Sequence, residues 1–281
     1  MSYYSIFRPG LFEGQTIIVT GGGSGIGRAV AHELASLGAH VVLAARKVEK
    51  LEKVRGEIAA GGGSASVCVC NIRLEEQVAA LFDSVLAERG AVHGLVNNAG
   101  GQFLSPVEHI SLKGWQAVVE TNLTGTFLMC REAFNRHMSQ HGGAIVNMLI
   151  EMWRGFPGMA HSAAARAGIE NLTKTLAVEW ARAGVRVNAV APGLTESSGL
   201  DHYGDAIRPF IEQTVQEIPM KRMGSESEVA AAIVFLLSPA AAYISGESVK
   251  IDGASSLWRK TWEIEDHDKA PRPFNGFDPQ A

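Results

Sequence analysis

The chain has 281 residues, 46% of them hydrophobic and 19% charged, and carries a formal net charge of -4. That balance supports a sizeable core and offers no basic field, which excludes nucleic acid from the expected partners. The longest apolar run, Val229 to Ile244, is broken by Ser238-Pro239 and is shorter than the roughly 20 residues of a membrane span, so no membrane partner is expected.

The amino-terminal stretch MSYYSIFRPGLFEGQ lacks a basic segment followed by an apolar one and does not read as a secretory leader. From there, short β-branched runs alternate with helical patterns. Strands are predicted at 16–20, 40–45, 65–70, 93–97, 144–149, 185–192 and 248–252, and helices at 26–37, 75–88, 115–138, 158–183 and 226–237. The strands show almost no polar alternation, as expected when both faces of a parallel sheet are covered by helices. The predicted fold is α/β: a single-domain, Rossmann-type doubly wound parallel sheet of about seven strands. One domain over 1–281 is expected, with a core at 14–252 and short arms at both ends. The arm after Asp252 is expected to lie as irregular surface structure or against a partner subunit. Cys68, Cys70 and Cys130 have no metal-ligand spacing and read as buried free thiols, so no metal and a reducing, cytoplasmic compartment are expected.

The first strand leads into TGGGSGIGRAV, which places Gly21, Gly25 and Gly27, with Ser24 and Ile26 between them, at a strand-to-helix turn. Absent side chains there let a pyrophosphate approach the backbone, and the helix N-terminus offers N–H groups and partial positive charge. The second strand ends in Ala44-Ala45-Arg46-Lys47, without the acid that would hold an NAD ribose. Arg46 is instead suited to a 2′-phosphate, so the expected cofactor is NADP(H). Asn98, Ala99 and Gly100 follow the fourth strand, in the crevice where such sheets bind ligands.

With TGGGSGIG, NNAG and the later APG at 191–193, residues 14–252 resemble the short-chain dehydrogenase/reductase family. The resemblance implies that Asn71 and Ile72 lie against adenine, that Asn97 to Gly100 line the cofactor, and that Pro192, Gly193 and Thr195 flank the nicotinamide carboxamide. It also implies a homotetramer built through the long helices at 115–138 and 158–183. Of the family's Asn, Ser, Tyr and Lys, only Asn122 is present. Ser162 stands at the tyrosine position beside His161, Arg166 stands at the lysine position, and Leu149-Ile150 replaces the serine.

A serine is too weak an acid to act as the phenol does, whereas Arg166 can still bond a ribose and supply charge. Reduction of a carbon–carbon double bond conjugated to a thioester collects charge on the carbonyl oxygen, which calls for oxyanion stabilisation more than for a phenol. Segments 100–127, 155–181 and 235–257 resemble the trans-2-enoyl-CoA reductase branch of peroxisomes, which uses NADPH and has the same serine and arginine. Two differences stand out: that branch's proton-donor tyrosine is Glu170 here, and the end Asp278-Pro279-Gln280-Ala281 is no peroxisomal address. His161 and Glu151 are the candidate proton donors, and Trp153, Phe156 and Met159 the candidate acyl wall. The expected substrate is a small molecule, an acyl-CoA. The alternatives are an alcohol/aldehyde dehydrogenase of acyclic terpene breakdown, of the citronellol/citronellal type, and a catalytically silent NADP-binding protein.

Overall fold

The structure, a computed structural model, describes residues 3–197, 200, 208–259, 262–267 and 269–278. Its seven main strands are β1 (Thr16–Thr20), β2 (His40–Ala45), β3 (Ser64–Val69), β4 (Gly94–Asn97), β5 (Gly143–Met148), β6 (Val185–Pro192) and β9 (Ser248–Ile251). They form one parallel sheet in the order β3-β2-β1-β4-β5-β6-β9. A small parallel ribbon joins β7 (Thr195–Glu196) to β8 (Gly224–Ser225).

Successive strand residues point to opposite faces, and both faces are dry. Ile17, Val19, Val41 and Leu43 pack with α1 (Gly25–Ser36), α2 (Val48–Ala60) and α9 (Glu226–Leu237). Ile18, Val42 and Ala44 pack on the opposite side with α3 (Glu75–Arg89), α5 (Gly125–Ala133) and α7 (Ala160–Glu179). Two apolar faces explain why the central strands carry no polar alternation. β3, at the edge of the sheet, is half-exposed.

The helix predicted at 115–138 begins earlier and is not uniform. Ser111 caps α4 (Leu112–Val119) by accepting from the Gly114 N–H at 3.1 Å. A wide π turn at Glu120–Thr124 leads into α5, and a second at Phe134–Met138 leads into α6 (Ser139–His141). Helices α2 and α8 (Arg208–Glu217) carry no sequence prediction. Neither announces its start: Lys47 gives α2 no side-chain cap, and α8 buries none of its residues. The tail folds back onto its own chain, with the Tyr4 N–H bonded to the Gly276 carbonyl at 2.7 Å and the Gly276 N–H to Ser227 Oγ at 3.1 Å. No helix among the described residues is long and apolar enough to cross a membrane.

The chain leaves β1 toward β2 and β3 on one side and returns to β4 on the other, so a crevice opens at the carboxyl ends of β1 and β4. That crevice positions the site.

Candidate active site

Two turns are locked together at the crevice. Asn98 Nδ2 donates to the Thr20 carbonyl at 2.9 Å, and the Thr20 hydroxyl accepts from the Asn98 and Ala99 N–H groups, both at 3.0 Å. Gly21 and Gly25 adopt left-handed φ values of 69° and 59°. A methyl group on Gly27 would overlap the Gly21 carbonyl and come within 2.5 Å of Asn98 Nδ2. The turn therefore requires glycine for its own packing as well as for a ligand's approach. Asn98, expected to line the cofactor, is the clamp that shapes the turn.

The N-terminus of α1 is open. Ser24 occupies the cap position with extended backbone but makes no side-chain capping bond, and the first turn holds no acid. Unsatisfied N–H groups and the helix dipole there suit a pyrophosphate. Arg46 is exposed at the end of β2 and has no carboxylate partner among the described residues. Ile26 packs on the first core cluster. These features suit a dinucleotide phosphate.

Other expected cofactor residues flank the same edge. The Asn71 side chain accepts from the Arg73 N–H at 3.3 Å, and Ile72 is buried against Gly125. Pro192 ends β6, the Gly193 N–H donates to the Ile251 carbonyl at 3.0 Å, and the Thr195 hydroxyl donates to the Gly193 carbonyl at 3.2 Å. Asn97 differs from expectation. Its side chain points into the core, donating to Asn147 Oδ1 at 2.9 Å and to Cys130 Sγ at 3.2 Å. Burial pushes the Cys130 thiol up to about 12 and leaves it unreactive.

The chemical centre lies beside this crevice. Asn122 sits in the π turn, buried, and holds Gly101 at both ends: its Oδ1 accepts from the Gly101 N–H at 2.9 Å and its Nδ2 donates to the Gly101 carbonyl at 3.0 Å. Such turns recur at functional positions because one extra residue redirects a side chain without ending the helix. Arg166, on α7, is 5% exposed. Its Nη1 donates to the Met148 carbonyl, its Nε has no partner among the described residues, and a methyl group on Gly100 would overlap Nη2 and lie 2.9 Å from Asn122 Oδ1. Gly100, Asn122 and Arg166 thus lie together.

Burial pushes the Arg166 guanidinium down to about 10, so it stays charged at neutral pH. A shift of that size corresponds to roughly 3 kcal/mol of charge desolvation. No carboxylate pairs with it among the described residues, and the site therefore favours an electron-rich oxygen beside it.

Ser162 is fully buried and donates to Gln102 Oε1 at 2.8 Å. His161, also fully buried, accepts the Ser162 N–H on Nδ1 at 2.8 Å, stacks edge-on with Phe103 at 4.3 Å, and leaves Nε2 without a partner among the described residues. Burial pushes its pKa down. The ring is a neutral Nε2–H donor, a tautomer assigned from its Nδ1 bond. Glu151 is half-buried on the loop after β5, and burial, aided by the Asp252 carboxylate, pushes its carboxyl up. Its surroundings are Ser255, Asp252, Arg154 and Lys250. Met159 is buried, Phe156 is half-buried, and Trp153 faces Lys250 Nζ at 4.3 Å. Glu170 pairs with Lys174 along α7 at 2.7 Å, as a helix-surface residue does. Gln102 and the Met148 carbonyl carry no sequence prediction, although Gln102 directly follows Asn98-Ala99-Gly100-Gly101.

Residues 21–255 match the family described as enoyl-(acyl carrier protein) reductase. The peroxisomal 2,4-dienoyl-CoA reductase of Danio rerio, described as (3E)-enoyl-CoA-producing, is 34% identical over 258 residues, covering 91% of this chain and 86% of that protein. The solved structure of a citronellol catabolism dehydrogenase from Pseudomonas aeruginosa is 61% identical, with a TM-score of 0.82 over 91% of this chain and 100% of that one. A Beutenbergia cavernae structure with NADP bound at low occupancy is 35% identical, with a TM-score of 0.83 over 88% of this chain and 99% of that one. The glycine-rich turn, the π turn at Asn122 and these matches together identify the chain as a member of the short-chain dehydrogenase/reductase family and an NAD(P)-dependent oxidoreductase.

Proposed function

We propose that the protein is an NADPH-dependent reductase of the carbon–carbon double bond of trans-2-enoyl-CoA thioesters. The observation that carries this reading is Arg166: a buried, charged guanidinium with no counter-ion among the described residues, next to a serine where a phenol would protonate an alkoxide. When bound, the reduced nicotinamide supplies two electrons and a hydrogen to the substrate's Cβ. The displaced π pair moves onto the thioester oxygen, where the Arg166 charge stabilises it in a dry site. Cα then takes a proton. Of the two candidate donors Glu151 suits that step better, because its raised pKa keeps a larger protonated fraction near neutrality, whereas neutral His161 has only a weakly acidic N–H. Arg46 supports NADPH over NADH through the 2′-phosphate.

The second reading, oxidation or reduction of an acyclic terpene alcohol or aldehyde, is favoured by the identity to the citronellol catabolism dehydrogenase. Absorbance at 340 nm separates the two. With NADPH, crotonyl-CoA and a medium-chain 2-enoyl-CoA are expected to be consumed, and citronellal is not. Turnover of citronellal alone overturns the double-bond reading, and NADPH binding without any turnover supports a silent binding protein.

The assembly proposed with this function is a homotetramer. Phe127 on α5 and Val178 on α7 are exposed, the latter at 79%, on helices suited to subunit contact. Light scattering is expected to return four times the 30.0 kDa chain mass, and a monomer would refute the assembly.

A further inference from the structure

We infer that Gln102 contacts the substrate, donating an amide N–H to the carbonyl oxygen that gathers charge during reduction; this rests on the double-bond reading above.

Asn122 and Ser162 stand at the family's asparagine and tyrosine positions. Both polar atoms of the Asn122 carboxamide are engaged by Gly101, at 2.9 and 3.0 Å. Ser162 has a single hydroxyl proton, and it goes to Gln102 Oε1 at 2.8 Å. Ser162 thus has no proton left for a substrate, and the second Nδ2 N–H of Asn122 and the ring N–H of His161 belong to fully buried side chains. Gln102 is exposed, and with its oxygen turned toward Ser162 its two N–H donors make no hydrogen bond among the described residues.

The carboxamide is also held in place. Gln102 follows Gly101, which is fastened to the π turn, and precedes Phe103, whose ring meets His161 at 4.3 Å. Two residues further on, the Ser105 N–H bonds the Gly158 carbonyl at 2.8 Å. Segment 101–105 is thereby tied to the same helices that carry Asn122, Ser162 and Arg166. Gln102 itself is exposed, while Ser162 is fully buried, so the side chain reaches inward from the mouth of the site. Such pre-orientation makes a donor effective, because nothing reorganises as charge develops. A carboxamide cannot release a proton to an alkoxide, but it can bond an enolate-like oxygen, in keeping with Arg166 and the missing phenol.

The test compares Gln102→Glu and Gln102→Leu with the wild type, using NADPH and a medium-chain 2-enoyl-CoA. Gln102→Glu keeps the acceptor for Ser162 and nearly the same shape, but replaces the donor with a charged oxygen. Its kcat is expected to fall on the order of 100-fold near pH 8 and to recover in part as the pH is lowered and the carboxyl gains a proton. Gln102→Leu is expected to lose kcat at every pH. NADPH affinity, read from nucleotide fluorescence, should stay within about twofold for both. A Gln102→Glu enzyme with wild-type kcat and an unaltered pH profile would show that Gln102 only latches the segment to Ser162, and would overturn the inference. If the wild type reduces citronellal but no enoyl-CoA, the functional reading fails separately. The same variants then report on citronellal's carbonyl, and unchanged kinetics there also overturn the assignment.

Discussion

Replacing Arg166 by Ala should leave a folded protein that has lost almost all turnover. The guanidinium makes one side-chain hydrogen bond, to the Met148 carbonyl, and has no acidic partner among the described residues, so no buried counter-charge is stranded when it goes. Its desolvation cost disappears as well, which offsets much of the lost contact. What vanishes is the charge proposed to face the reacting oxygen. Removing one such donor typically lowers kcat by about 10²–10³, or roughly 2.7–4 kcal/mol. Arg166→Lys should recover part of this, since an ammonium restores charge without the planar fork. Steady-state kinetics with a 2-enoyl-CoA, together with a thermal unfolding curve, make the check. Wild-type kcat in Arg166→Ala would remove the residue from the mechanism.

Arg46→Glu should invert the cofactor preference. A charge-assisted bond to the 2′-phosphate is worth about 2–3 kcal/mol, and the substituted carboxylate would repel that phosphate while offering the ribose hydroxyl an acceptor. NADPH kcat/KM is expected to drop on the order of 100-fold, while NADH kcat/KM stays level or rises. Because Arg46 is exposed, the wild-type preference should weaken as salt increases. An unaltered ratio of the two cofactors in the variant would show that Arg46 does not read the 2′-phosphate.

Much of the architecture is legible in the chain because its signals are local. The run Thr16–Thr20, the glycines at 21, 25 and 27, and the missing acid after Ala45 each act within a few residues of themselves. The seven predicted strands accordingly lie within a residue of those observed. Helix α2 escaped because its buried positions, Leu51, Val54 and Ile58, are sparse among charged residues and no cap marks its start. The π turn at Asn122 is likewise invisible in a periodicity count, since Glu120–Thr124 continues the helical pattern on either side.

Residue types by themselves determined that a dinucleotide turn is present, that its cofactor pocket lacks a ribose acid, and that the phenol and ammonium of the usual site are replaced by Ser162 and Arg166. Those are statements about which groups exist at which position in the chain. Only the tertiary structure decided which of their protons remain available. Asn98 clamps the Gly21 turn and Asn97 is a core residue, because each is paired by residues distant in sequence. Hydrogen bonds are exclusive: the single hydroxyl proton that Ser162 gives to Gln102 cannot also serve a substrate. That exclusivity is settled by distances across the folded chain, and it leaves Gln102 as an exposed group with donors still to give, alongside the buried Arg166.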